Sequence, residues 1–166
     1  MTIVLKSNKR FLSVLVSMIC LFGCQSKEET KVSTDVNTFN SLVTIDIPLK
    51  SVSWEVFGTP EYTGGVPGPT DYVTLIAQAE SPNNTKHAQV RAATPVGIAP
   101  ESARPWLDPE FRRWLENSKN TTVDISKTGN CRTLTGLLNK TKKSVTGFAC
   151  EGKTKTLIYL RIANYT

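Results

Sequence analysis

Apolar and polar positions divide the chain into a greasy start, a polar stretch and a punctuated series of short periodic segments. Residues 11–22 are almost unbroken apolar, interrupted only by Ser13 and Ser17. That run is shorter than the ~20 residues a helix needs to cross a bilayer. Residues 25–40 are rich in Ser, Thr, Lys and Glu, a composition that reads as a flexible tether. Val43, Ile45 and Ile47 then alternate with polar residues, as do Val52, Trp54 and Val56; both patterns predict half-buried strands. Residues 72–79 are apolar with little alternation, as in a central strand, and the Ser81-Pro82-Asn83-Asn84 turn predicts a hairpin partner at residues 87–94.

One segment has the helical period. Asp108-Pro109-Glu110 supplies a capping acceptor, a proline for the first turn and a carboxylate at the positive helix end. Phe111, Trp114 and Leu115 follow on one face, with Arg112, Arg113 and Glu116 on the others, and the helix is expected to stop within residues 117–120. Trp106 stands where it can staple the helix start.

The last third reads as a meander. Residues 131–138 and 143–150 flank the polar turn Asn139-Lys140-Thr141-Lys142, and a final strand covers residues 154–162. A symmetric hairpin about that turn puts Leu138 opposite Lys143, Leu137 opposite Ser144 and Cys131 opposite Cys150. In a non-hydrogen-bonded pair the Cα atoms lie about 4.5 to 5 Å apart, within disulfide range. A Cys131–Cys150 bridge is therefore expected, closing the open end of the hairpin. The predicted fold class is α+β: a mostly antiparallel sheet, one main amphipathic helix packed on it, and a disulfide-bridged C-terminal meander.

The start of the chain carries an address. Lys6, Lys9 and Arg10 precede the apolar run with no acidic residue among them, as in a secretory signal. The run meets Leu21-Phe22-Gly23-Cys24, which resembles the lipobox of bacterial lipoproteins. The resemblance implies cleavage before Cys24, lipidation of its sulfur and acylation, palmitate included, of its amine. It covers only the first ~25 residues and implies nothing about the fold beyond. Multiple acyl chains hold where a single chain binds only marginally. In that family an acidic residue after the cysteine favours the inner membrane; Gln25 and Ser26 here imply the outer membrane, facing the periplasm. The expected organisation is a signal peptide over residues 1–23, a tether over 24–40 and one globular domain over 41–166.

Charge sharpens this picture only at the C-terminal end. The formal net charge of +6 includes the three cations of the signal, so the high pI partly reports a discarded segment. After residue 124 the chain carries eight Lys/Arg against one acidic residue. Such an end is either a solvated lysine-rich sheet face or a surface for an anionic envelope component or an acidic partner. Nucleic acid is not an expected partner of an exported, lipid-anchored chain.

Candidate chemistry is sparse. His87 is the only histidine, so a Ser/His or Cys/His mechanism has no evident base, and a zinc site lacks its ligands. No metal and no cofactor is expected. The Gly/Pro-rich stretch over residues 58–69 lacks phosphate-cradling spacing but carries Glu61, Tyr62, Asp71 and Tyr72 in and beside it. This loop, together with Lys140, Lys142 and Lys143 at the hairpin tip, forms the expected contact surface. The expected function is a non-catalytic one: an accessory subunit, an inhibitor or immunity-type protein, or a ligand carrier of the cell envelope. The alternative is a small envelope hydrolase in which Glu55, Glu61 and Asp71 converge.

Overall fold

The computed structural model describes residues 32–59, 72–82, 95–128 and 130–164. The elements, in chain order, are α1 (Val36–Leu42), β1 (Val43–Ile45), β2 (Ser51–Thr59), β3 (Tyr72–Glu80), β4 (Pro95–Gly97), α2 (Pro109–Ser118), β5 (Thr122–Asp124), β6 (Cys131–Leu138), β7 (Ser144–Glu151) and β8 (Thr156–Asn164). Short 3-10 turns occupy Pro100–Ser102 and Ile125–Lys127.

Six strands form one antiparallel sheet in the order β1-β6-β7-β8-β3-β2, and β4 pairs with β5 separately. The two edge strands of the large sheet, β1 and β2, are consecutive in the chain and joined by only five residues, 46–50. Six flat strands would separate those edges by about 24 Å, and five linking residues reach about 20 Å at full stretch. The sheet must curl, and it does. One face becomes a lined interior: Val43, Val52, Leu75, Ala77, Leu134, Val145, Ala149, Ile158 and Leu160 are all buried there. Gly147 belongs to this arrangement, since a Cβ on it would lie 1.8 Å from the Tyr159 carbonyl oxygen of the neighbouring strand.

The other face carries α2. Phe111 and Leu115 are buried and Trp114 half-buried, against Ile76, Phe148, Leu157 and Tyr159. Trp114 meets Phe148 edge-on at 5.5 Å, and Phe148 stacks on Tyr159 at 4.9 Å. The expected aromatic helix face is thus core, and the helix ends at Ser118 as its sequence indicates. Its start differs in detail. Asp108 stands at the cap position, but its side chain accepts no helix N–H. Its carboxylate instead faces Lys155 Nζ at 3.2 Å, while its backbone N–H donates to Gln78 Oε1 at 2.8 Å. Gln78 lies on β3, so the sheet itself fixes where the helix begins.

The C-terminal hairpin has the register read from the sequence: Cys131 pairs with Cys150 and Leu137 with Ser144. The bridge is present, with the two Cα atoms 4.0 Å apart. Both cysteines are buried in the same cluster as Phe111.

Three expectations change. Residues 33–40 are part of the folded domain, not of a tether. Ser33 exchanges two 2.8 Å backbone hydrogen bonds with Trp54, and Asp35 caps α1 by accepting from the N–H groups of Asn37 and Thr38. The helix is held by Phe39, which is fully buried and meets Trp54 edge-on at 5.8 Å. The polar composition that suggested a tether consists in part of capping residues. Second, β1 stops at Ile45, two residues short of its expected end. Third, the neighbours of β3 are β2 and β8, where the sequence suggested residues 87–94; those residues lie outside the described ones.

Candidate interaction surface

The β6–β7 hairpin presents Lys140, Lys142 and Lys143, all exposed. Its base is anchored by the turn's first residue. The Asn139 side-chain nitrogen donates to the Asn40 carbonyl at 2.6 Å, and its backbone N–H donates to the Leu42 carbonyl at 3.0 Å. Asn139 Oδ1 also accepts from the Thr44 hydroxyl at 2.9 Å. The last carbonyls of a helix have no partner within it; here the hairpin supplies them, so α1 and the hairpin tip are fixed to each other. The turn closes through a bond from Lys142 N to the Leu138 carbonyl at 2.8 Å, with Lys142 in the left-handed region at φ 56°.

Among the described residues the three tip lysines form no ion pair, whereas Lys50, Lys119, Lys127 and Lys155 each face a carboxylate. Beside the tip lies a shallow depression of about 470 Å³ lined by residues of β1, β6 and Ser144, with Asp46 at its border. Leu137 in its floor is the exposed large apolar residue of the described chain. A Cβ on Gly136 would crowd Val43, Ile45 and Val145 at 3.0, 3.1 and 3.2 Å.

Tyr72 lies at the same end of the sheet, two strands away from β7. Its ring is half-buried, and the Arg161 guanidinium sits 4.7 Å from the ring centre. Burial, above all, pushes the Tyr72 phenol above its usual 10.0. The neighbouring Thr59 hydroxyl donates to Glu101 at 3.2 Å. Tyr159 accepts from the Ala99 N–H at 2.9 Å, holding the segment after β4 against the sheet. Tyr72 is therefore a packed residue of a polar corner rather than a loop side chain. Glu61, Tyr62 and Asp71, expected beside it, lie outside the described residues, as do His87 and Cys24.

Glu55, the carboxylate of the hydrolase alternative that falls among the described residues, is buried and fully engaged. One oxygen pairs with Arg104 Nη2 at 2.9 Å and the other accepts from the Trp106 indole at 2.9 Å. Arg104 in turn lies 4.1 Å over the Phe57 ring. This trio ties the segment before α2 to β2. It shows how Trp106 is really used: as a polar tie through its indole N–H, and as packing against the core. Sequence reasoning missed Arg104 and, beyond its place in the turn, the contact of Asn139 with the end of α1. Nothing local marks either of them, because their partners are 49 and 99 residues distant in the chain.

Chemically, the tip offers strongly hydrated point charges that each bring three donors, suited to phosphate or carboxylate oxygens. Among the described residues no group of three or more His, Cys, Asp or Glu could hold a metal ion, and no helix is long and apolar enough to cross a membrane. Comparison of the chain with known protein families, with curated proteins and with solved structures returns no match.

Proposed function

We propose that this protein is a lipoprotein of the bacterial cell envelope, anchored through Cys24 in the outer membrane and facing the periplasm. It acts by binding an envelope protein or an anionic envelope component, as an accessory or inhibitory subunit, without catalysis. The observation that carries the reading is the bridged Cys131–Cys150 hairpin in a chain that opens with an export signal and a lipobox. Buried disulfides persist in oxidising compartments, and this one closes the hairpin whose far end displays three lysines that form no ion pair among the described residues. The carrier version has less support, because the helix–sheet interface is filled by Phe111, Leu115, Phe148 and Tyr159.

Mass spectrometry of the protein isolated from membranes tests the anchor, with Cys24 expected as an acylated N-terminus. Crosslinking in intact envelopes tests the binding role. Capture of a defined partner that is lost in a Lys140→Glu, Lys142→Glu, Lys143→Glu variant is the expected result. A purified Cys24→Ser form that turned over an envelope polymer, with no partner recovered, would refute it.

A further inference from the structure

We propose that the lysine tip of the β6–β7 hairpin docks on the anionic headgroups of the same membrane that holds Cys24. The proposal deepens the binding reading above and rests on it for the anchor. Three independent observations converge on it.

The first is reach. Because residues 33–40 are folded, the chain between the anchor and the domain is short. From Cys24 to Ser33 it can span at most about 30 Å, whatever its conformation. Ser33 is fixed on β2 by its two bonds to Trp54. Helix α1, about 10 Å long, leads from there to the Asn139 clamp. The lysine tip thus stands one short helix away from the point where the anchoring segment enters the domain. The opposite end of β6 and β7, with Lys127 and Lys153 near it, lies about 26 Å from the tip along the strands.

The second is charge. Three lysines in four residues are exposed, and among the described residues they form no ion pair. Near an anionic bilayer three lysines favour contact roughly a hundredfold.

The third is backbone strain. Lys142 adopts φ 56°, a conformation that glycine adopts freely and an L side chain does not. A lysine therefore stands where glycine would make the more stable turn. Strain at such a position points to a side chain kept for its use.

The test uses the mature acylated protein in vesicles of zwitterionic lipid, or of the same lipid with roughly a third of a phosphatidylglycerol. A brief pulse of an amine-reactive label, read by peptide mass spectrometry, compares Lys140, Lys142 and Lys143 with Lys127 and Lys153. On anionic vesicles the tip lysines should label about fivefold more slowly relative to the reference pair. About 1 M salt, which cuts the screening length to about 3 Å, should abolish the difference. A Lys142→Gly variant should melt at a higher temperature yet leave Lys140 and Lys143 less protected. Equal labelling on both vesicle types, with the protein co-floating, overturns the docking but not the anchor. Protection that appears only when envelope proteins are added overturns it in favour of an acidic protein partner. Failure to float, with Cys24 found unacylated, removes the anchor and the docking together.

Discussion

Removing the Glu55 carboxylate would take away the Arg104 contact at 2.9 Å and the acceptor of the Trp106 indole, both in a largely buried site. Breaking one side of a buried pair costs about 3–5 kcal/mol, so Glu55→Ala should lower unfolding free energy by that amount in a denaturant titration. A loss below about 1 kcal/mol would mean that water reaches the pair freely. Two other carboxylates act at the surface. Hydrogen bonds from the Thr38 hydroxyl and backbone hold the Asp35 carboxyl below its usual 3.8. The Ser126 hydroxyl does the same for Asp124, helped by the Ser126 backbone N–H and by Lys127. Each folded-state value lies below the unfolded one, so the stabilisation is present above pH about 4 and lost as pH falls through the folded values. Thermal melting should therefore fall off below pH 4, and less steeply in an Asp35→Ala, Asp124→Ala double variant. Parallel acid profiles for the two proteins would show that these caps do not contribute. Lys140, Lys142 and Lys143 were legible at this scale as a cationic turn. Tyr72 was not, because a tyrosine beside a Gly/Pro-rich loop gives no sign that Arg161 and Thr59 will enclose it.

At the scale of elements, the β6–β7 hairpin could be drawn from position numbers alone, because a turn between two strands fixes every pair beyond it. The bridge closes a loop of 19 residues' separation and should contribute about 3 kcal/mol through the unfolded chain. A Cys131→Ala, Cys150→Ala variant should unfold at correspondingly lower denaturant with an altered m-value; an unchanged midpoint would show that core packing alone holds the hairpin. Helix α2 was legible from Phe111, Trp114 and Leu115 for the same local reason. Helix α1 was not. Seven residues are too few to show a period, and one buried side chain, Phe39, supplies its packing.

For the whole molecule, α1 matters beyond its size. It leads from the Ser33 contact with β2 to Asn139 at the β6–β7 turn, in a sheet whose two edges are brought together by a five-residue link. Phe39→Ala should cost about 3–5 kcal/mol. It should also raise amide exchange in β1 and β2 before β7 and β8, because the edges depend on that plug. Uniform acceleration across the sheet would argue that α1 is not a separate unit. Under the proposed lipidation of Cys24, the folding of residues 33–40 also shortens the link to the domain.

The sequence by itself determined what depends on neighbours along the chain: the strand period, the α2 face, and the hairpin register with its bridge. The tertiary structure decided what depends on residues far apart. It alone showed the curl of the sheet, the burial of Glu55 with Arg104, the enclosure of Tyr72, and the Asn139 clamp. The physical reason is the range of the interactions. Periodicity and turn geometry act over a few residues and leave a pattern, whereas a buried ion pair or a cross-chain cap needs only one suitable side chain at each end and leaves none.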